Sequence, residues 1–348
     1  MRKVKWGVLG AGGIADRRTL PGMMLSQHCE LVAVMEVNEE AAQKLAEKYH
    51  AKRYYTSAEA LLADEEVEAV YIASPVKFHK EQVIAAAKAG KHVLCEKPIA
   101  AQLDDANMAL AACEENHVLA AAGFMMRYHS LHQKMKELVA AGKLGQIVSC
   151  RAQMNCWFPD IPGNWRQERA HTGGGALMDM GIHCIDLLEY ILDSKCTRVA
   201  GMCATKTFQY DIEDSANVLL QLENGAVCYV DTNYNIPDDA VTCRLEIMGT
   251  KGSMIAENTI SQVESGTLSC KFIDQGAYNA QQDRVETQVE EYLPEDGNMY
   301  AKELDAFSLS VLENAPVIVP MADAIHVQKV IATAYQASDE GKSLTVEV

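Results

Sequence analysis

The sequence lacks an uninterrupted apolar stretch long enough to cross a membrane as a helix. Apolar residues make up 49% of the 348 residues, yet no run reaches the roughly 18 residues that a spanning helix needs. Residues 1–7 lead into a strand-like run and show neither the apolar core nor the cleavage site of a signal peptide. We therefore expect a cytoplasmic protein without a membrane partner.

Paired cysteines and an excess of positive charge are also missing. The 11 cysteines are scattered and odd in number, without a CxxC pair or metal-ligand spacing, which is typical of reduced thiols in a cytoplasm. A net charge of −17 disfavours nucleic acid and anionic membranes as partners. It does not exclude a phosphate-bearing cofactor, because backbone amides bind such a group locally.

Short apolar runs alternate with helical patterns along the first third of the chain. Each run is suited to a buried parallel strand, and the alternation predicts βαβ units in a doubly wound Rossmann sheet. We assign this α/β domain to residues 1–123. The predicted strands cover residues 4–9, 31–37, 67–73, 92–95 and 118–122.

The alternation of strand and helix patterns ends at about residue 124. Beyond it, predicted strands joined by tight turns dominate. The pattern predicts a second, α+β domain over residues 124–348 with a largely antiparallel sheet. One helix, over residues 175–192, interrupts the strands, and two late helices, 300–313 and 322–340, can pack back on the first domain. The predicted strands cover residues 147–155, 197–208, 216–222, 226–234 and 243–248.

A glycine-rich turn follows the first strand directly, as a dinucleotide-binding fingerprint requires. Gly10 permits the tight turn, and Gly12 lets the backbone approach a pyrophosphate. The small side chain of Ala15 allows close packing of the following helix on the strand. We predict a dinucleotide site that includes Gly13 and Ile14, with the phosphates at the N-terminal amides of that helix.

Glu36 stands at the end of the second predicted strand. A carboxylate there accepts hydrogen bonds from the adenosine ribose and repels a 2′-phosphate, which favours NAD over NADP. Arg17 and Arg18 keep NADP open as an alternative, because either can reach a phosphate. Glu36 can also be read as a solvated carboxylate at a strand end.

Two further segments lie at predicted carboxyl ends of strands, where ligands bind in open α/β sheets. One is the Glu96-Lys97-Pro98 triplet, whose Lys97 can donate to a substrate hydroxyl oxygen. The other holds Ser74, Pro75 and His79, which we place beside the nicotinamide half of a cofactor. The alternatives are a surface lysine in a turn for Lys97 and a simple helix-start residue for His79.

Asp179 and His183 stand at i and i+4 on the helix that follows a triple glycine. That spacing puts the two side chains on one helical face. A carboxylate beside an imidazole raises its basicity and fixes its tautomer, which makes a general base. A satisfied core histidine is the alternative, and no third ligand supports a metal site.

Taken together, these residues resemble the glucose-fructose oxidoreductase/inositol dehydrogenase (Gfo/Idh/MocA) family over essentially the whole chain. The resemblance rests on Gly10-x-Gly12-x-x-Ala15, the Glu96-Lys97-Pro98 triplet, Asp179-x-x-x-His183 and the turn at residues 247–252. It implies a Rossmann domain followed by a domain with a large open-faced sheet. Such a sheet binds substrate and joins subunits, so a homodimer or homotetramer is expected.

The resemblance also implies an activity, namely NAD-dependent oxidation of a secondary hydroxyl of a sugar, glycoside or cyclitol. His183 would take the hydroxyl proton, Asp179 would orient His183, and Lys97 would polarise the hydroxyl while the same carbon loses hydride to nicotinamide. Lys97 and Glu96 also count among the expected cofactor contacts.

Two more segments are similar to substrate contacts in sugar-active relatives. Arg127 and Tyr128 follow the last Rossmann strand, and Trp165 and Arg166 precede the glycine triplet. Arg166 can bind sugar hydroxyls or a carboxylate, and Trp165 offers a flat face to a pyranose ring. Packing of Trp165 and a surface ion pair of Arg166 are the alternatives.

Three rival functions stay open at this point. The first is redox-assisted glycoside cleavage, in which oxidation acidifies a neighbouring C–H and allows elimination. The second is a carbonyl reductase, which should prefer NADPH and is disfavoured by Glu36. The third is a sugar or nucleotide sensor without turnover, against which the intact Lys97, Asp179 and His183 count.

Overall fold

The computed structural model describes residues 2–273, 280–281 and 287–347. The described chain forms two compact units, each built from separate stretches of sequence. The first unit takes its residues from Met1–Tyr128, Asn164–Gly174 and Gly297–Gln328, and the second from His129–Gly163, Gly175–Asp296 and Lys329–Val348. The contiguous boundary at residue 123 that the sequence predicts stays a prediction.

A parallel sheet is the centre of the first unit, in the order β3-β2-β1-β4-β5-β6 within the described residues. Its strands are β1 (Val4–Leu9), β2 (Cys29–Met35), β3 (Arg53–Tyr55), β4 (Ala69–Ile72), β5 (His92–Glu96) and β6 (Ala120–Gly123). The connecting helices are α1 (Leu20–Leu25), α2 (Glu39–Tyr49), α3 (Ala58–Leu62), α4 (His79–Lys88) and α5 (Leu103–Glu115). The order reverses beside β1, as in a doubly wound Rossmann sheet.

A second sheet, mostly antiparallel, forms the centre of the second unit. Its strands are β7 (Ile147–Asn155), β8 (Cys196–Ala204), β9 (Ser215–Leu222), β10 (Val227–Asn233), β11 (Arg244–Gly249), β12 (Gly252–Glu257), β13 (Thr267–Phe272), β14 (Glu290–Tyr292) and β15 (Leu344–Thr345). Within the described residues the order is β14-β13-β12-β11-β7-β10-β9-β8-β15. Within this second sheet, β7 and β10 are the only described neighbours that pair in parallel. The predicted α/β plus α+β fold class is confirmed.

Five more helices complete the described chain. They are α6 (Ser130–Ala140), α7 (Arg169–Thr172), α8 (Ile182–Leu192), α9 (Met299–Glu313) and α10 (Met321–Glu340). Of these, α7, α9 and the first part of α10 belong to the first unit. No helix in the described ranges is long and apolar enough to cross a membrane.

The core of the first unit joins the sheet to α9. Trp6, Tyr71 and Leu94 form one buried apolar cluster with Leu304 and Phe307 of that helix. The rings of Trp6 and Phe307 lie 5.7 Å apart. Burial of such side chains stabilises the fold by roughly 1.5–3 kcal/mol each, which accounts for the position of a late helix on the first sheet.

Glu303 of α9 is an acid inside this apolar packing. Its side chain is 1% exposed, and neither carboxyl oxygen has a hydrogen-bond partner among the described residues. Burial, and secondarily the nearby charge of Glu96, raises the pKa of Glu303 well above its ordinary value. The protonated form is therefore favoured in the folded protein.

Replacing Glu303 by Gln is expected to stabilise the protein increasingly as the pH rises. Because the folded-state pKa is raised, the native carboxyl keeps its proton while the unfolded one loses it above about pH 4.5, and stability falls through that range. Glutamine does not titrate, so the stability difference in favour of the variant should grow from about pH 4.5 upward, with a limiting slope of about 1.4 kcal/mol per pH unit. Urea denaturation across this pH range measures the difference in free energy of unfolding between the variant and the parent.

The control is Glu313→Gln, at the exposed end of the same helix. It should leave the pH dependence of stability unchanged. A Glu303→Gln curve parallel to the parent curve would show that Glu303 is not the buried, protonated acid.

Candidate active site

The glycine turn after β1 approaches the end of β4 more closely than any side chain allows. Gly10 has φ of +73°, and a Cβ built on it would lie 2.6 Å from the N and Cα atoms of Ser74. Only glycine fits this position. A Cβ on Gly13 would meet no heavy atom within 4 Å, so the outer side of the turn is open to a ligand.

Glu36 lies over this turn, where the sequence predicts a ribose-binding acid. Its Oε2 accepts a hydrogen bond from the N–H of Gly12 at 3.2 Å, and a Cβ on Gly12 would lie 3.0 Å from the same oxygen. An open, glycine-lined cradle with a carboxylate at its edge fits the adenosine half of a nicotinamide dinucleotide.

His79 begins α4 and is 1% exposed. Its Nδ1 lies 2.9 Å from the carbonyl oxygen of Pro98, and its Nε2 lies 2.7 Å from that of Ser74. Both ring nitrogens therefore contact the backbone within the first unit. The cofactor contacts predicted for Ser74, Pro75 and His79 stay predictions.

Glu96 ends β5 beside Lys97, and the Lys97–Pro98 peptide bond is cis. Tyr71 donates a hydrogen bond to Oε1 of Glu96, and the backbone N–H of Lys97 donates to Oε2 at 3.2 Å. Burial raises the pKa of Glu96, while these bonds and the positive charges of Lys97 and Arg166 oppose the rise. The Glu96 carboxyl is thus held in place by two hydrogen bonds. The Lys97 side chain beside it is half-buried.

Two predicted substrate segments have different surroundings in the first unit. The Arg166 guanidinium is exposed and lies 5.6 Å from the centre of the half-buried Trp165 ring. Arg127, by contrast, is 4% exposed, pairs with Asp323 at 3.0 Å and donates to the carbonyl of Ile318. These contacts show that Arg127 has a structural role in the first unit. Its predicted role in substrate binding stays a prediction.

The helix that carries Asp179 and His183 begins with a wide turn. Residues Leu177–Gly181 form a π-helical turn before α8 starts at Ile182. Wide turns of this kind occur frequently at functional sites. Asp179 lies within that turn and is half-buried, whereas His183 lies in the first turn of α8 and is 4% exposed.

Tyr234 holds the carboxylate of Asp179, a contact that sequence reasoning missed. The Tyr234 hydroxyl donates to Oδ2 of Asp179 at 2.8 Å. Burial, and then the adjacent carboxylate, raises the pKa of Tyr234 well above its ordinary value, so the phenol stays protonated and donates. The two residues stand far apart in sequence, and no spacing rule joins a strand-end tyrosine to a helical acid.

Glu213 fixes the start of the same helical segment and was likewise missed. Its carboxylate accepts hydrogen bonds from the N–H groups of Gly175 at 2.8 Å and Leu177 at 3.0 Å. The Tyr335 hydroxyl also donates to it, at 2.7 Å. An acid at a helix N-terminus is electrostatically favourable, and this one sets where the Asp179 helix begins.

Comparison with known proteins identifies the class of both units. A family model described as an oxidoreductase family with an NAD-binding Rossmann fold matches residues 4–124. A model of the GFO/IDH/MocA C-terminal domain matches residues 132–255. The chain therefore belongs to the GFO/IDH/MocA family of oxidoreductases, and the resemblance drawn from its motifs is confirmed.

Several relatives of this chain are enzymes named for sugars. The 1,5-anhydro-D-fructose reductase of Ensifer adhaerens is 30% identical over 273 residues, which cover 77% of this chain and 80% of the relative. The D-xylose 1-dehydrogenase (NADP(+)) 2 of Haloferax volcanii is 28% identical over 98% of this chain and 99% of its own.

A solved structure agrees with this placement. The aldose-aldose oxidoreductase of Caulobacter crescentus, crystallised with glycerol, is similar with a TM-score of 0.88 and 26% identity. The alignment covers 99% of this chain and 100% of that one.

Substituting Gly175 by Ala should strongly destabilise the protein, because a Cβ there would lie 2.0 Å from the carbonyl oxygen of Glu213. The obstructing atom belongs to the backbone, so relief requires the helix start to move. We expect a loss of about 3 kcal/mol or more, the upper part of the range for overpacking. Chemical denaturation measures the loss.

Gly90→Ala is the matched control. Gly90 has φ of +70° and a Cβ there would meet nothing within 4 Å, so it tests backbone conformation alone at a cost of about 1 kcal/mol. Equal losses in the two variants would contradict the close approach at Gly175.

Proposed function

We propose that this protein is an NAD-dependent dehydrogenase that oxidises a secondary hydroxyl of a sugar, glycoside or cyclitol, or reduces the corresponding ketone. The observation that carries the proposal is the carboxylate of Asp179, fixed by Tyr234 one helical turn before the buried His183. Membership of a family with sugar-named relatives supports the substrate class.

The proposed proton transfer belongs to His183. Its imidazole accepts the proton of the substrate hydroxyl as the carbinol carbon becomes a carbonyl. Asp179 stabilises the resulting imidazolium and keeps the ring in the required tautomer. The ammonium of Lys97 donates a hydrogen bond to the same substrate oxygen and stabilises negative charge on it. A bound nicotinamide cofactor would supply the hydride acceptor for this oxidation.

Glu36 supports NAD as the cofactor. Its carboxylate lies against the Gly12 amide, where it can accept hydrogen bonds from ribose hydroxyls. A 2′-phosphate placed there would face this negative charge. The Haloferax volcanii relative carries NADP(+) in its name, so the family does not itself decide between the cofactors.

Trp165 and Arg166 are the proposed substrate contacts that the structure leaves accessible. Arg166 is exposed and Trp165 half-buried, which suits a guanidinium that donates to sugar hydroxyls beside an aromatic face. Arg127 and Tyr128 are included in the same proposal, although both side chains are 4% exposed.

The outer face of the second sheet supports a homodimer or homotetramer. Leu219 of β9 is 51% exposed and Val227 of β10 is 46% exposed. They lie on the face opposite the buried Leu220 and Cys228, as strand alternation requires. A second copy of the chain would cover these apolar side chains.

His183→Ala should abolish most turnover while leaving NAD affinity unchanged, because the imidazole is proposed to move a proton and not to hold the cofactor. Loss of a general base lowers rates by roughly 10²–10⁴-fold. Single-turnover formation of NADH measures the rate, and fluorescence titration measures NAD binding separately. A panel of sugars, glycosides and inositols, screened by NADH absorbance, supplies the substrate.

The control is His132→Asn, at another buried histidine of the second unit that contacts Thr259. It should preserve single-turnover NADH formation in folded enzyme. Full activity of His183→Ala would remove His183 from the proposed role.

Glu36→Ser should weaken NAD binding about tenfold, equivalent to roughly 1.4 kcal/mol, and should relax the rejection of NADP. The serine removes both the ribose acceptor and the charge that repels a 2′-phosphate. Titrations with NAD and NADP measure the ratio of the two dissociation constants.

Glu39→Ser removes a carboxylate from the exposed first turn of α2 and serves as the control for net charge. If both serine variants change the ratio equally, the effect is one of overall charge and the ribose is held elsewhere.

A further inference from the structure

The imidazole of His79 bridges two segments that follow neighbouring strands of the first sheet. Nε2 lies 2.7 Å from the carbonyl oxygen of Ser74, just after β4. Nδ1 lies 2.9 Å from the carbonyl oxygen of Pro98, just after β5. A single buried side chain thus spans the two strand ends where ligands bind in such sheets.

Both partners of this ring are acceptors only. A neutral imidazole carries one N–H and can donate to one carbonyl, whereas the imidazolium donates to both. Burial lowers the pKa of His79, and the two carbonyl contacts oppose that effect. The two bonds are therefore chemically separable, and a side chain with one donor can preserve either of them.

The backbone on each side of the bridge is itself held. Ser74 packs against Gly10 so closely that no Cβ fits between them. Beyond Pro98, the side chain of Gln328 accepts from the N–H of Ile99 and donates to the carbonyl of Ala100, both at 2.8 Å. Gln328 is 2% exposed, so these bonds are protected from water.

Lys97 precedes this fixed stretch directly. His79 holds the carbonyl of the following residue, and Gln328 holds the next two residues. The His79 contact is the nearest of these to Lys97 in sequence, and it ties the Lys97 turn to the segment that packs on the glycine turn.

We propose that His79 is a positioning residue, whose hydrogen bond to the Pro98 carbonyl fixes the turn that presents Lys97 to the substrate. This inference rests on the proposed role of Lys97 and extends it to a residue that does not touch the reacting atoms. The contact of its Nε2 with the Ser74 carbonyl oxygen, at 2.7 Å, places the same turn beside the cofactor cradle.

Two amide substitutions separate the two bonds. In His79→Asn, the amide nitrogen takes the place of Nδ1 and can donate to Pro98. In His79→Gln, it takes the place of Nε2 and can donate to Ser74. His79→Leu removes both donors and is the reference for complete loss.

We expect kcat to fall about tenfold to hundredfold in the Gln and Leu variants, the usual effect of misplacing a reacting group by an ångström. The Asn variant should stay close to the parent value, and KM should change little in all three. Equal losses in the Asn and Gln variants would overturn the proposal.

The same substitutions in a Lys97→Met background test whether His79 acts through Lys97. In that background, His79→Gln should lower activity little further, because its effect requires the Lys97 ammonium, which methionine lacks. An additive loss would overturn the positioning role. Full activity of Lys97→Met alone would instead contradict the proposed function, so the two failures are distinguishable.

Hydrogen exchange without cofactor supplies a readout independent of activity. Peptides covering residues 97–101 should exchange faster in the Gln and Leu variants than in the parent and Asn variants. Unchanged exchange in the Leu variant would show that His79 does not hold the turn.

His92→Asn is the matched control, because His92 begins β5 at its other end, where Nδ1 accepts from the N–H of Leu119 at 3.0 Å. It should lower thermal stability without changing exchange over residues 97–101 or kcat. A comparable kcat loss in this control would mean that any damage to β5 suffices, and the specific role of His79 would be wrong.

Discussion

The close backbone approach between Gly10 and Ser74 is the constraint on which the first unit depends. No atom beyond hydrogen fits on Gly10 at this point, so the ends of β1 and β4 are fixed relative to each other. Glu36 is located by its bond to Gly12 in the same turn, and the Lys97 turn is located through His79. The Gly10–Ser74 approach and the His79 side chain together connect the nucleotide cradle to the turn of the proposed catalytic lysine.

In the second unit, two hydrogen-bonded carboxylates fix the helical segment in an equivalent way. Glu213 accepts the first amides of the helical segment, and Asp179 accepts the Tyr234 hydroxyl. Glu213 accepts from three donors, including the Tyr335 hydroxyl, which is what makes a buried carboxylate tolerable. These hydrogen bonds fix the position of Asp179, which is the proposed partner of the base His183.

Local patterns predicted much of the fold, and the site residues that they indicate stay predictions. The strand Val4–Leu9, the strand Ile147–Asn155 and the helix Ala58–Leu62 coincide with their predicted bounds, because each combines a clear periodicity with turn residues at its ends. The edge strands β3, β14 and β15 were missed because strands of two or three residues carry little periodicity. The six-residue inner strands β12 and β13 were missed as well.

Contacts between distant residues could not be predicted in this way. The bond from Tyr234 to Asp179 spans 55 residues, and the approach of Glu213 to Gly175 depends on how a loop crosses the helix start. Arg127 shows that one residue can fit two roles. The sequence predicts it as a substrate contact, and in the structure it forms a partly buried ion pair with Asp323.

The packing of α9 on the first sheet has a consequence for biosynthesis. Trp6 leaves the ribosome well before its hydrogen-bond acceptor Ser308, which follows 302 residues later. One apolar face of the first sheet therefore stays uncovered while the intervening residues are synthesised. A cell that produces this protein has to protect that face from aggregation during translation, since the segment that covers it is synthesised after the entire second sheet apart from β15.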